Sequence, residues 1–180
     1  NLEKLTLNEG LKTIGANSFQ STKISSVNIP STLTSVNMPS YDDHGPFYKS
    51  TTLKEVTIDD NAAIIPDYLF ENCSGLETID IPYAVRTIGI SAFEGCTSLK
   101  DITIHNPYCN IYNKNNTISN SATIKGYTPS TAKNYAQSYE REFVSLGSFT
   151  LGDVNEDGSI NSSDASKVLE EYALIQTGAE

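Results

Sequence analysis

The sequence predicts a solenoid of stacked strand-and-turn coils, and three observations predict it. The first is a step of 23 residues, at which Leu53-Lys54-Glu55-Val56-Thr57-Ile58, Leu76-Glu77-Thr78-Ile79-Asp80-Ile81 and Leu99-Lys100-Asp101-Ile102-Thr103-Ile104 follow one another. The second is that Phe47, Phe70 and Phe93 keep the same step, as do Cys73 and Cys96. The third is the alternation in each Val-x-Ile or Ile-x-Ile segment, the pattern of a half-buried strand. A period of this size marks supersecondary units that cannot bury their apolar faces without neighbours.

Composition narrows the function classes. The chain of 180 residues carries a net charge of −10 with a pI near 4.6, so nucleic-acid phosphates would be repelled. A hydrophobic content of 38% is enough for a core. No apolar run approaches the ~20 residues of a transmembrane helix. Three cysteines are too few for a disulfide framework. Cys73 and Cys96 are expected to stack as buried thiols, with a disulfide or a metal ligand as the other readings. Sequons begin at Asn72, Asn115 and Asn161. The acid is concentrated at the end: from Leu151 to Glu180 there are seven carboxylates against one lysine. That clustering points to a cation site.

Taken in order, the first coil is Leu2 to Leu7 with Leu11, Ile14, Gly15 and Phe19, and the second is Ile24 to Pro30 with Leu33 and Val36. The next step is six residues too long, and the excess falls around Met38 to Pro46. Insertions in repeats map to loops on one face, often the binding face. Asp42-Asp43-His44 within it reads as a metal or acid–base pair, or as a solvated loop, with no third partner indicated. Tyr41, Phe47 and Tyr48 would make a sugar-stacking patch, unless Phe47 belongs to the core column. Stacking also aligns outward positions into columns: Thr6, Asn28, Thr57, Asp80 and Thr103, beside Lys4, Ser26, Glu55, Thr78 and Asp101. These form a small polar ligand face for protein or glycan, or simply solvent-facing strand positions that suit Thr.

The repeat motif, I-x-I-P and then V-x-x-I-G-x-x-A-F-x-x-C-x-x-L, resembles the leucine-rich repeats of bacterial surface proteins called BspA-like. The resemblance covers residues 1 to about 105 and implies an α/β, right-handed leucine-rich-repeat solenoid. Its strands would be short and parallel, and its convex side irregular or short-helical. The second coil lacks the Gly and the Cys, with Ser50 at the Cys place. After Ile104 the period is lost from the sequence, so residues 106–147 are expected to cap the last coil. Ala132, Tyr135, Ala136 and Tyr139 form one helical stripe with Ser130 or Thr131 as N-cap. Phe143 to Leu146 follows as a strand. The N-terminal side shows no cap, which predicts a longer natural protein upstream.

Residues Asp153 to Asp164 carry the chemistry. Oxygen donors stand at alternate places, as in an EF-hand-type Ca²⁺ loop. Asp153, Asn155 and Asp157 offer side chains, Gly158 permits the sharp turn, and Ser159 offers its carbonyl. Asn161 serves directly or through water, and Asp164 closes the loop where an EF-hand has Glu. An amphipathic helix follows through Ala165, Val168, Leu169, Tyr172 and Ile175. The run Leu-Gly-Asp-Val-Asn-x-Asp-Gly-x-Ile-Asn-x-x-Asp, with no helix before it, resembles the first half of a dockerin, so 148–180 is expected to be a truncated one. The resemblance implies a cohesin on a cellulosomal scaffoldin as partner, with Ser162, Ser163, Lys167 and Glu170 toward it. Dockerins carry two such loops and this chain shows one, which predicts a fragment. The combined expectation is a non-enzymatic, secreted, cellulosome- or cell-surface-associated repeat module holding Ca²⁺. Its repeat face would meet a protein or a plant-cell-wall glycan. A surface adhesion protein, or the spacer of an enzyme whose catalytic domain lies elsewhere, are the alternatives.

Overall fold

The computed structural model describes residues 3–149 together with 152, 159–163, 165, 166 and 169. It divides into two compact units, Asn1–Leu146 and Gly147–Glu180. In the first unit the coils each contribute two short strands. These are β1 (Lys4–Thr6) and β2 (Thr13–Gly15), β3 (Ser26–Ile29) and β4 (Ser35–Asn37), β5 (Glu55–Ile58) and β6 (Ile64–Ile65). They continue as β7 (Thr78–Ile81) and β8 (Thr87–Ile88), β9 (Asp101–Ile104) and β10 (Asn110–Ile111), then β11 (Thr123–Thr128). Helix α1 (Thr131–Ser138) and β12 (Phe143–Ser148) follow.

The first strands of the coils pair into one ladder, and the second strands into another. Register is strict: Lys4, Ser26 and Glu55 align, as do Thr6, Asn28 and Thr57. Further on, Asp80 stands beside Thr103, and Thr103 beside Lys125. Both ladders lapse once. The first runs β1-β3-β5 and resumes as β7-β9-β11-β12; the second runs β2-β4 and resumes as β6-β8-β10. The lapse in the second ladder falls across the insertion at 38–46.

Alternation does what the pattern predicts, burying Ile79 and Ile81 while Thr78 and Asp80 face out. Phe47, Phe70 and Phe93 are fully buried in a continuous column, with ring centroids 5.3 Å apart for Phe19–Phe47, 6.0 Å for Phe47–Phe70 and 5.5 Å for Phe70–Phe93. Offset stacks of this kind add to burial itself. The column crosses both lapses without a break. All three cysteines are buried free thiols. Cys73 Sγ donates to Phe47 O at 3.3 Å and Cys96 Sγ to Phe70 O at 3.1 Å, so each thiol ties its coil to the one before.

One expectation is narrowed and another changes. The coils are strand and turn, and α1 is the one helix of the first unit among the described residues. The convex side is therefore irregular rather than short-helical, one of the two forms the resemblance implies. Its turns close on single i→i+3 bonds, such as Leu69 N to Pro66 O and Cys73 N to Phe70 O, too few to nucleate a helix. The solenoid also continues where the sequence loses its period. Asn110–Ile111 pairs with Thr87–Ile88, Ile118 bridges Phe93, and Thr123–Gly126 lies in register with Asp101–Ile104. Ile118 and Ala122 fill core places that larger or aromatic residues hold upstream.

The last coil is closed as the helical stripe predicts. Ser130 caps α1 by accepting from Lys133 N at 3.0 Å, and Ala132, Tyr135 and Ala136 are buried. The Tyr135 hydroxyl donates to Lys114 O at 2.7 Å. Arg141 donates to the carbonyls of Ile118, Ser119 and Ala122, and burial lowers its pKa. This guanidinium satisfies carbonyls of the final turn that no further coil could reach.

Candidate ligand-binding face

The outward columns of the first ladder form the candidate face, and its two stretches differ. On β1-β3-β5 a concavity of about 370 Å³ is lined by Lys4, Thr6, Ser26, Asn28, Glu55 and Thr57 among others. Lys4, Thr6, Ser26, Glu55 and Thr57 have no side-chain hydrogen bond or ion pair among the described residues. Asn28 is different. Its Oδ1 accepts from Leu7 N at 2.9 Å and its Nδ2 donates to Leu7 O at 2.7 Å, so both ends serve the neighbouring coil.

On β7-β9-β11 the charged members of the same columns are spent, while Thr78 and Thr103 have no side-chain hydrogen bond among the described residues. Asp80 Oδ1 is 2.7 Å from His105 Nε2, and Asp101 is 3.0 Å from Lys125 Nζ. Lys100 Nζ meets Glu77 at 2.6 Å; that bond lowers the Glu77 pKa and raises that of Lys100. Thr103 is half-buried between these pairs. Of the predicted column, Thr6, Thr57 and the half-buried Thr103 thus present unoccupied polar groups, whereas Asn28 and Asp80 do not.

The insertion has a partner that the sequence does not reveal. His44 Nδ1 lies 3.2 Å from Glu71 Oε1 on the next coil, and Gly45 N donates to Glu71 Oε2 at 3.1 Å. The Tyr48 ring stacks on His44 with centroids 3.6 Å apart. Glu71 is buried at 8% exposure, and a buried carboxylate needs such donors. Asp43 accepts from Ser40 N at 2.8 Å, which closes its own loop. Met38, Tyr41, Asp43, His44, Tyr68 and Glu71 line an open hollow of about 350 Å³. Phe47 is 1% exposed in the core column, which removes it from a sugar-stacking patch; Tyr41 is fully exposed. Among the described residues no three His, Cys, Asp or Glu side chains gather to hold a metal.

In the second unit, four of the six predicted calcium ligands, Asp153, Asn155, Asp157 and Asp164, lie outside the described residues, as do Lys167 and Glu170. Ser159, Asn161, Ser162 and Ser163 are exposed. Asn161 Oδ1 accepts from Ser163 N at 2.7 Å and so caps the helical residues that follow, while its Nδ2 donates to Ser159 O at 3.3 Å. These are hard oxygen donors of the kind Ca²⁺ takes, held in a turn before a helix.

Two parallel ladders, an aromatic column and a stack of coils joined only to neighbours define a parallel β-solenoid of the leucine-rich-repeat class. The BspA type leucine-rich repeat region matches residues 1–44 and 40–139 in six copies, and the chain belongs to that family. The match extends past Ile104, as the ladders do. A leucine-rich cell-surface protein from Faecalibacterium prausnitzii A2-165 is 21% identical with a TM-score of 0.49, over 86% of this chain and 35% of that one. This chain therefore spans about a third of that protein's length. A leucine-rich repeat protein of T. pallidum is 14% identical with a TM-score of 0.34, over 81% of this chain and 86% of that one. No curated protein matches.

Proposed function

We propose that this chain is a secreted, non-catalytic binding module. Its β1-β3-β5 face takes a protein or glycan ligand, and its acidic tail docks through Ca²⁺ onto a cohesin. One observation carries the first half: Lys4, Thr6, Ser26, Glu55 and Thr57 are polar, aligned, set in one concavity and unspent on their neighbours. Leucine-rich repeats are interaction scaffolds, and fold alone does not fix a ligand.

The docking half rests on the oxygen pattern from Asp153 to Asp164 and on the Asn161 cap. Ca²⁺ would supply the charge that gathers Asp153, Asn155, Asp157 and Asp164 into one loop, and Ser162, Ser163, Lys167 and Glu170 would then face a cohesin. The test is binding of the chain to a panel of purified cohesins, with calcium and again with excess chelator. Binding that disappears with chelator supports docking. Failure with every cohesin moves the reading to a surface adhesion protein, in which the family membership stands without a scaffold. On the repeat face, Thr57→Arg should abolish ligand capture while leaving cohesin binding as it was.

A further inference from the structure

A second surface lies outside both parts of that reading. Where the chain passes from β7 to β8, and in the next coil from β9 to β10, Tyr83, Ala84, Arg86, Asn106 and Tyr108 line an open groove of about 570 Å³. Its two rings stand far out, Tyr83 at 58% and Tyr108 at 60% exposure. The backbone beneath them is fixed. Val85 N donates to Pro82 O at 3.1 Å, and Cys109 N donates to Asn106 O at 3.2 Å. Buried Asn106 accepts from Tyr108 N at 2.9 Å and donates to Val85 O at 3.0 Å, which ties the two coils together under the groove.

Arg86 is the informative residue. The chain has one other arginine, Arg141, and that one is consumed by backbone carbonyls of the last coil. Arg86 is exposed and has no side-chain partner among the described residues, in a chain of net charge −10 with acids available to pair. A guanidinium is a planar fork suited to one carboxylate, and it stays charged at any working pH. Tyrosine faces on a rigid base suit the apolar face of a flat ring.

We infer that this groove binds an acidic saccharide, a pyranose face stacking on Tyr83 or Tyr108 while its carboxylate is taken by Arg86. The volume suits a small ligand. A protein partner would need about 800 Å² on this side, far more than five residues offer. A phosphate monoester brings close to two charges against one guanidinium on an otherwise acidic chain, whereas each uronate residue brings one.

The experiment titrates the whole chain with a short oligogalacturonate and with its neutral methyl ester, both in excess chelator, reading tyrosine fluorescence. The chelator removes any bridging by calcium and silences the tail. The acid should bind about tenfold more tightly than the ester. Arg86→Gln should bring the acid down to the level of the ester and leave the ester unchanged, and Tyr108→Ala should weaken both. All these side chains are exposed, so an unchanged melting temperature shows that the variants fold. Absence of binding, equal binding of acid and ester, or tight acid binding retained by Arg86→Gln would overturn the inference.

Discussion

The upstream coils, through β5, and the downstream coils, from β7, share one core column and differ in nearly everything outside it. Downstream, the repeat unit does the work by itself: Cys73 and Cys96 bond the preceding phenylalanine carbonyls, and outward charges pair coil to coil. Upstream, the coils depart from the unit and each departure needs a private remedy. The insertion leans on the His44–Glu71 pair, Asn28 stitches β3 to Leu7, and Ser50 replaces a cysteine. A repeat that keeps its period inherits its contacts; one that breaks it must supply them locally. The upstream coils are also where the charged members of the polar columns, Lys4 and Glu55, stay unpaired among the described residues.

The column both halves share should give the largest loss. Phe70 is fully buried between Phe47 and Phe93, so Phe70→Ala should cost about 3–5 kcal/mol in denaturant unfolding. Phe19, a half-buried end of the column, should cost clearly less as Phe19→Ala. Equal losses would mean that the column is not shared.

The insertion's remedy is next. A Cβ on Gly45 would fall 1.8 Å from Tyr68 O, a backbone atom that cannot swing away. Gly45→Ala should therefore cost about 1–3 kcal/mol and displace Glu71 from His44. A neutral substitution would show that the loop rides freely on the coil below.

The thiols sharpen the contrast by pH. Burial pushes Cys96 and Cys109 up to about 12 from an ordinary value of 9, and Cys73 upward as well. The folded chain thus holds neutral thiols that the unfolded chain would ionise. Stability should be intact below pH 9 and fall as pH climbs toward 12, by about 1 kcal/mol per thiol at the first unit above 9. Cys96→Ser should flatten that slope, read from urea midpoints across the range.

The smallest effect should be a gain. Ser50 Oγ is buried with no hydrogen-bond partner among the described residues, and the equivalent carbonyl, Phe19 O, accepts from Thr22 Oγ1 at 2.8 Å. Ser50→Cys replaces that hydroxyl with a less demanding thiol and should stabilise by about 1 kcal/mol. A loss instead would mean that the site is too small for sulfur.

What was legible in the sequence follows the same division. Columns of Leu, Ile, Phe and Cys announce the coils because repetition makes weak local signals add. The α1 stripe and the Ser130 cap were legible as local patterns. The coils beyond Ile104 were not, since Ile118 and Ala122 hold column places with residues that break the motif while preserving the burial. Glu71 carries no sequence signal because its partner lies on another coil, and no periodicity links a buried acid to a histidine in an insertion. Asn28 reads as a column member and only its geometry shows it already engaged. Tyr83 and Tyr108 stand two residues out of step, so no column marked them. The calcium loop falls largely outside the described residues and stays a matter of sequence.

The lapse between β5 and β7 has a mechanical consequence. Hydrogen bonds between stacked coils point along the stack, so tension applied between its ends is borne rung by rung rather than shared. Where the first ladder lapses, fewer rungs resist, and the load passes to the phenylalanine column and to bonds such as Arg86 N to Ala63 O and Gly89 N to Ile65 O. A chain held at one end and loaded at the other would yield there first, extending by a fixed increment while the coils on either side stayed wound.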